Sequence, residues 1–175
     1  MSFLNPDITI KSFGILPGMR IADFGAGSGH WAFAIARAAG PKGKVFAVDI
    51  QSAALEAIRS RAKIEHIANI ETIQANLETP RATMLADTSV DAVLISNMLF
   101  QADEKTNAAG EAARILKPGG RVFLIEWDTA DLTPGPPAAQ RIPRAEAERM
   151  FEHTGLHFEK EFNAGSHHYG LMFRK

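Results

Sequence analysis

The chain contains no cysteine. Disulfides, thiolate metal sites and a cysteine nucleophile are thereby excluded, and a cytoplasmic setting fits best. Charge imbalance is also missing: the formal net charge is −1, which points away from nucleic acid and anionic membranes as partners. No apolar run approaches the ~18–20 residues that span a bilayer. The opening MSFLNPDITI has no basic stretch followed by an apolar core, so it does not read as a signal peptide. Internal repeats and low-complexity tracts are lacking too. What is present is ordinary for a globular protein, with 175 residues, 46% hydrophobic and 22% charged. That length predicts a single domain over residues 1–175 with one sizeable core.

The stretch MRIADFGAGSGHWAFAIA, residues 19–36, organises the rest. An apolar run (Ile21, Ala22, Asp23, Phe24) leads into Gly25, Gly27 and Gly29, and a run without breakers follows from His30. This reads as a buried strand, a tight glycine loop and a helix. Glycines let a backbone approach a ligand closely, and a helix N-terminus presents unpaired N–H groups with a partial positive charge. The loop is therefore a candidate site for a small polar ligand with an acidic group.

Along the chain, Asn5-Pro6-Asp7 carries helix-start signals, and the N-terminal helix and turn occupy residues 1–18. Strands are expected at 20–24, 44–48 ending on Asp49, 70–75, 90–96 and 121–127. Helices are expected at 29–39, from Ser52 as cap, and at 105–116, where Lys117-Pro118-Gly119-Gly120 stops the last of them. Residues 128–143 hold Pro134, Gly135, Pro136, Pro137 and Pro143, so they read as a Pro-rich loop near the active site. A helix over 144–154 and a hairpin of 157–162 with 168–174 complete the chain. Strands alternating with helices predict an α/β fold with a mostly parallel sheet and helices on both faces. Ligands in such sheets sit beyond the carboxyl ends of the strands.

The glycine spacing separates two ligand chemistries. A dinucleotide loop spaces its glycines G-x-G-x-x-G, and that pattern would need glycine where His30 stands. Asp23 lies two residues before the first glycine, a poor neighbour for a pyrophosphate and a good one for an ammonium group. Asp49, at the end of strand two, can accept from a ribose diol. Asn76 and Leu77, after strand three, can accept from an adenine amino group and pack on its ring.

The pieces ADFGAGSG (22–29), VFAVDI (45–50), IQANLE (73–78), VDAVLISNMLFQ (90–101) and ARILKPGGRVFLIEW (113–127) occur in that order. In them the sequence resembles the class I S-adenosylmethionine-dependent methyltransferases of the small-molecule type. The resemblance implies a Rossmann-like methyltransferase fold, with a seven-stranded sheet whose last strand is antiparallel. It implies S-adenosylmethionine as cofactor and S-adenosylhomocysteine as product. It places Asp23, Phe24, Gly25 and Ala26 at the methionine end. Gly27 and Gly29 would allow close approach, Asp49 would hold the ribose, and Ile50, Asn76 and Leu77 would flank the adenine. Ser96 and Asn97 would line the cofactor where substrate enters. The family more often has an acid where Asn76 stands, so the adenine end departs from its pattern.

Such enzymes have no universal catalytic residue, because the methyl donor is already activated and the protein aligns the nucleophile and excludes water. The catalytic residue is therefore left open. His30 is one candidate base, and its simpler reading is a residue packing at a helix start. Glu126 and Asp128 could orient a substrate or take a proton. Trp127 and Phe100 could form an aromatic wall, with Phe100 better read as core. Adjacent His167 and His168 point to opposite faces of a strand and cannot easily share a metal, and no metal is expected. After strand four the chain lacks an (Asp/Asn)-Pro-Pro-aromatic signature, so methylation of a base amine is disfavoured. A small-molecule acceptor is expected, with the protein acting as monomer or homodimer and without nucleic-acid or membrane partners. Two other readings stay open: a cofactor-binding protein without catalysis, and an NAD(P)-binding oxidoreductase.

Overall fold

Glycine and proline punctuation cuts this chain into apolar strands and amphipathic helices of similar length, and they fold as seven strands in one sheet. The computed structural model describes residues 4–130 and 135–175. Chain order is α1 (Pro6–Thr9), a 3-10 turn (Ile10–Phe13), β1 (Arg20–Phe24), α2 (His30–Ala39), β2 (Lys44–Asp49), α3 (Ser52–Ile64) and β3 (Ile70–Gln74). Then come β4 (Val90–Ser96), α4 (Lys105–Ile115), β5 (Leu116–Trp127), α5 (Arg144–Glu152), β6 (His157–Phe162) and β7 (His168–Arg174). The sheet order is β3-β2-β1-β4-β5-β7-β6. Only β7 runs against its neighbours β5 and β6; the pairs from β3 through to β5 are parallel. Strand order reverses between β1 and β4, the switch point beyond which such sheets bind ligands. Among the described residues, no helix is long and apolar enough to cross a membrane.

Alternation along the central strands divides the core in two. Ala22, Phe24, Val93, Ile95, Val122 and Leu124 meet Ala108, Ala109 and Ala112 of α4 and Phe151 of α5. Ile21, Ala47, Leu94, Phe123 and Ile125 meet Phe33 and Ile35 of α2 and Leu55 and Ile58 of α3. Full burial of a side chain such as Ile35 or Phe33 stabilises by about 1.5–3 kcal/mol. Beyond these layers, the loops at the carboxyl ends of β1, β2 and β4 are left to form a cleft.

Several boundaries differ from the sequence expectation by one or two residues, and two differ for reasons the tertiary contacts supply. The helix from Ser52 is preceded by Gln51 at the N-cap position, with no side-chain cap of its own. The Asp49 carboxylate accepts from the Gln51 N–H at 2.9 Å and turns the chain into the helix one residue early. The segment Lys117-Pro118-Gly119-Gly120, expected to be only a stop, lies within β5. Its backbone is drawn into the sheet by the chain terminus: Gly119 N–H donates to Lys175 O, and Lys175 N–H donates to Gly120 O. The ladder absorbs the turn through a register shift opposite Val90 and Ala92.

Candidate functional site

The loop after β1 is held from below by β2. The N–H groups of Gly25 and Ala26 donate to Val48 O at 2.9 and 3.0 Å. The N–H of Gly27 donates to Asp49 Oδ2 at 2.8 Å. Asp49 thus latches the loop with one oxygen and the start of α3 with the other. An ionised carboxylate has about four lone-pair sites, so both oxygens can still accept from a ligand.

The three glycines serve different ends. A Cβ on Gly25 would stand 2.8 Å from Met98 Cγ, and one on Gly29 would stand 2.8 Å from Ile58 Cγ1 and 3.2 Å from the Phe33 ring. Those two make room for the protein's own side chains. Gly29 lines neither cavity of the cleft described next, and the room it leaves is filled by the packing of α2 on α3. Gly27 is different: its φ is +49°, and the nearest atom to a Cβ there is Gly25 O at 3.9 Å. It alone of the three faces open space.

Two adjoining cavities meet at Gly25, Gly27 and Asn97. The first, about 400 Å³, is lined among others by Asp49, Ile50, Gln51, Asn76, Leu77 and Met98. The second, about 590 Å³, lies between the loop and the start of α1, against Asn5, Asp7, Ala26, Ser28, His30, Trp31 and Ser96. Ile50 is 57% exposed beside the first cavity, an apolar side chain open to a flat ring. Asn76 Oδ1 already accepts from the Glu78 N–H at 3.0 Å, which leaves that amide oxygen one further acceptor direction. Of the expected residues, Asp49, Ile50, Asn76, Leu77, Gly25, Gly27, Ala26, Ser96 and Asn97 come together around this cleft. Phe24 is fully buried in the sheet core and can offer only backbone.

Asp23 sits beneath the loop, 1% exposed and outside both linings. Its Oδ2 has no partner among the described residues. Burial, reinforced by the negative charge of Asp49, pushes the carboxyl up to about 7, while a hydrogen bond from the Ala32 N–H of α2 pulls the other way. This group wants a cation or a proton. Its ionised form is penalised only in the fold, so the penalty is absent below the ordinary value of 3.8 and is complete above about 7. Ligand-free Asp23→Asn should therefore melt with wild type near about pH 4 and above it near about pH 8. Equal melting temperatures at both pH values would show that the buried charge costs the fold nothing.

Trp31, on the wall of the cleft, was not singled out from sequence. Trp31 donates from Nε1 to Ser96 Oγ at 3.0 Å and stacks on Phe13 with ring centroids 5.9 Å apart. Its only local signal was an aromatic directly after the glycine loop. Asn97 takes a left-handed φ of 51° after β4. Its Nδ2 donates to His168 Nε2 at 3.1 Å, and its Oδ1 has no partner among the described residues. His168 is buried, which lowers its pKa to about 4 and keeps it neutral.

The other candidates lie apart from one another. His30 is exposed on the second cavity, with Nδ1 2.8 Å from Ser28 Oγ. Asp128 is paired with Arg144 at 2.9 Å. Trp127 packs on His168 with centroids 4.2 Å apart and does not share a wall with Phe100, which lines a separate cavity beside α5. Glu126 points to the opposite face of the sheet from Trp127 and lines neither cavity of the cleft. In the Pro-rich loop, the buried Arg141 guanidinium donates to Asp128 O, Ala130 O and Pro136 O. It thereby gathers both arms of the loop against Trp127. Residues 131–134, Pro134 included, lie outside the described residues.

A family model described as a methyltransferase domain matches residues 21–120. The chain is 36% identical over 118 residues to a demethylmenaquinone methyltransferase of Lactococcus lactis, across 67% of this chain and 46% of that protein. It is 32% identical over 127 residues to a ubiquinone/menaquinone biosynthesis C-methyltransferase of Pasteurella multocida, across 72% of this chain and 46% of that protein. The chain spans about half the length of these curated relatives. The crystal structure of a SAM-dependent methyltransferase from Aquifex aeolicus superposes with a TM-score of 0.89 at 23% identity, covering 98% of this chain and 90% of that one. That likeness shows a common fold.

Proposed function

The chain belongs to the methyltransferase-domain family, and from that membership we propose that it transfers a methyl group from S-adenosylmethionine to a small-molecule acceptor in the cytoplasm. The observation that carries the cofactor assignment is the unpartnered Asp23 oxygen buried under a glycine loop whose Gly27 faces open space. A carboxylate left so is stabilised by a nearby positive charge, and an amino-acid ammonium bound over the loop would supply that charge without touching it. Asp49 would hold the ribose with its remaining lone pairs. Ile50 and Leu77 would enclose the purine, and Asn76 would meet its edge. When bound, S-adenosylmethionine supplies a methyl group already activated by sulfonium charge.

For the acceptor we propose a ring carbon of a quinol. The support is twofold: the two relatives' names refer to quinone biosynthesis, and the second cavity joins the Trp31 ring and Ala26 to the polar groups of Ser96 and Asn97. A quinol carbon becomes a strong nucleophile once a ring hydroxyl is ionised. His30, on the wall of this cavity, is placed to take that proton. Ser28 orients the imidazole through their 2.8 Å hydrogen bond. The remaining residues align the ring and keep water out.

Calorimetry with S-adenosylhomocysteine and with NAD tests the cofactor assignment. Binding of the first and none of the second is expected, and the reverse would restore the oxidoreductase reading. Label from methyl-tritiated S-adenosylmethionine should then appear on a reduced demethylated quinone. Cofactor binding with no transfer to a quinol or to any of a broad panel of small molecules would leave a binding protein.

A further inference from the structure

Glu126 is a buried carboxyl that the proposed reaction does not use. It stands one residue before the end of β5, on the face of Val122 and Leu124, and is 0% exposed. Its Oε1 accepts from the N–H of Met98 at 3.0 Å and of Leu99 at 2.7 Å. Its Oε2 has no partner among the described residues. Burying a carboxyl with one oxygen unpaired is costly, and a neutral amide could make the same two hydrogen bonds.

The segment it grips has little support of its own. Residues 97–101 leave β4 through the left-handed Asn97 and enter a 3-10 turn, Leu99–Gln101, which lacks a side-chain cap. Glu126 supplies that cap from another strand. On the other face of the sheet, His168 holds the Asn97 side chain, and the Asn97 N–H donates to Ile125 O at 2.9 Å. Asn97 lines both cavities of the cleft, and Met98 lines the first while occupying the space next to Gly25.

We propose that Glu126 is a positioning residue for the cleft: as a carboxylate it holds the Met98 and Leu99 amides, fixes Asn97 and Met98 between the two cavities, and loosens that hold when protonated. The proposal rests on the cleft being the S-adenosylmethionine site. Hydrogen bonds to a charged acceptor are about twice as strong as those to a neutral one, so protonation changes the grip without changing the partners. Burial pushes this carboxyl up to about 7, against the pull of the Leu99 and Met98 amides, so the change falls near neutrality. Tyr169 of β7 stands opposite Glu126 in the ladder, with its hydroxyl donating to Ile142 O. Around Tyr169 lie Arg144 and Glu146 of α5 and Asp128 beyond β5. Burial raises the Tyr169 pKa, so the phenol stays neutral through the same range.

The test uses amide resonances in a ¹H–¹⁵N spectrum of the whole chain, together with S-adenosylhomocysteine affinity by calorimetry. The Met98 and Leu99 amides should titrate together with a midpoint near 7, and that titration should vanish in Glu126→Gln but persist in Asp23→Asn. At about pH 8, Glu126→Ala should weaken S-adenosylhomocysteine roughly ten- to hundred-fold, and Glu126→Gln, which keeps an acceptor oxygen but not the charge, should fall between the alanine variant and wild type. Amides that do not move with pH, or a glutamine variant as poor as the alanine one, would overturn the proposal. If the alanine variant does not fold, the titration in wild type and Glu126→Gln decides alone. Because that titration needs no ligand, a chain that fails to bind S-adenosylhomocysteine would sink the cofactor assignment and leave the role of Glu126 separately testable.

Discussion

Gly27→Val is expected to abolish measurable S-adenosylhomocysteine binding while far-UV circular dichroism still reports the folded sheet. The φ of +49° at Gly27 belongs to the left-handed region, which a β-branched residue occupies at a cost of about 1–3 kcal/mol. A domain of ordinary net stability, about 5–15 kcal/mol, survives that cost. The protein itself would not resist the new side chain, since the nearest atom to its Cβ is 3.9 Å away. The valine methyls would instead fill the junction of the two cavities, where the proposed ligand must cross from ribose to methionine. Gly29→Ala makes the contrasting case. Its methyl would press within 2.8 Å of Ile58 Cγ1, so the loss should appear in thermal stability more than in affinity. Normal binding by Gly27→Val would show that the loop does not touch the ligand.

The second large effect is at Asp49. Loss of its ribose hydrogen bonds alone should weaken S-adenosylhomocysteine by about 1.5–3 kcal/mol, the range for bonds to a charged group. Asp49→Ala should reach or exceed the upper end of that range, because the same carboxylate latches Gly27 and Gln51 at 2.8 and 2.9 Å. Without it the glycine loop keeps only its backbone ties to Val48 and loses the one at Gly27, and part of the binding energy must re-order that part of the loop. Asp49→Asn separates these contributions. Its single acceptor oxygen can keep one latch, while its NH2 group then faces the other N–H, donor against donor. Calorimetry should therefore find the asparagine variant recovering only part of the lost affinity. Affinity unchanged in Asp49→Ala would remove Asp49 from the ribose site.

Most of the strand and helix pattern could be read from the chain because its determinants are local. Val93-Leu94-Ile95 is apolar on consecutive positions, which a strand buried on both faces requires. Asn5 caps α1 by accepting from the N–H groups of Asp7 and Ile8, both within its own turn. Lys117-Pro118-Gly119-Gly120 misled for the opposite reason. Its residues are turn formers, yet its backbone pairs with Lys175, 55 residues beyond Gly120 in sequence. Ser52 lost the cap position to Gln51, whose N–H the Asp49 carboxylate holds.

Within the site, the chain by itself placed the candidate groups: the glycine spacing, Asp23 ahead of it and Asp49 at the last position of β2 fall at the carboxyl ends of neighbouring strands, where the proposed cofactor would lie. Only the tertiary structure decided what each group does there. Gly25 and Gly29 make way for Met98 and Ile58, residues on other elements that no local pattern connects to them. Asp49 proved to be the latch of the loop as well as an acceptor facing the cleft. Glu126 and His168 reach the segment after β4 from two further strands, on opposite faces of the sheet. The physical reason is the range of the forces involved. Backbone preference and strand alternation act over a few residues and are written into neighbours in sequence. Hydrogen bonds and steric contacts act over about 3–4 Å in space, and only the folded sheet brings their partners within that distance.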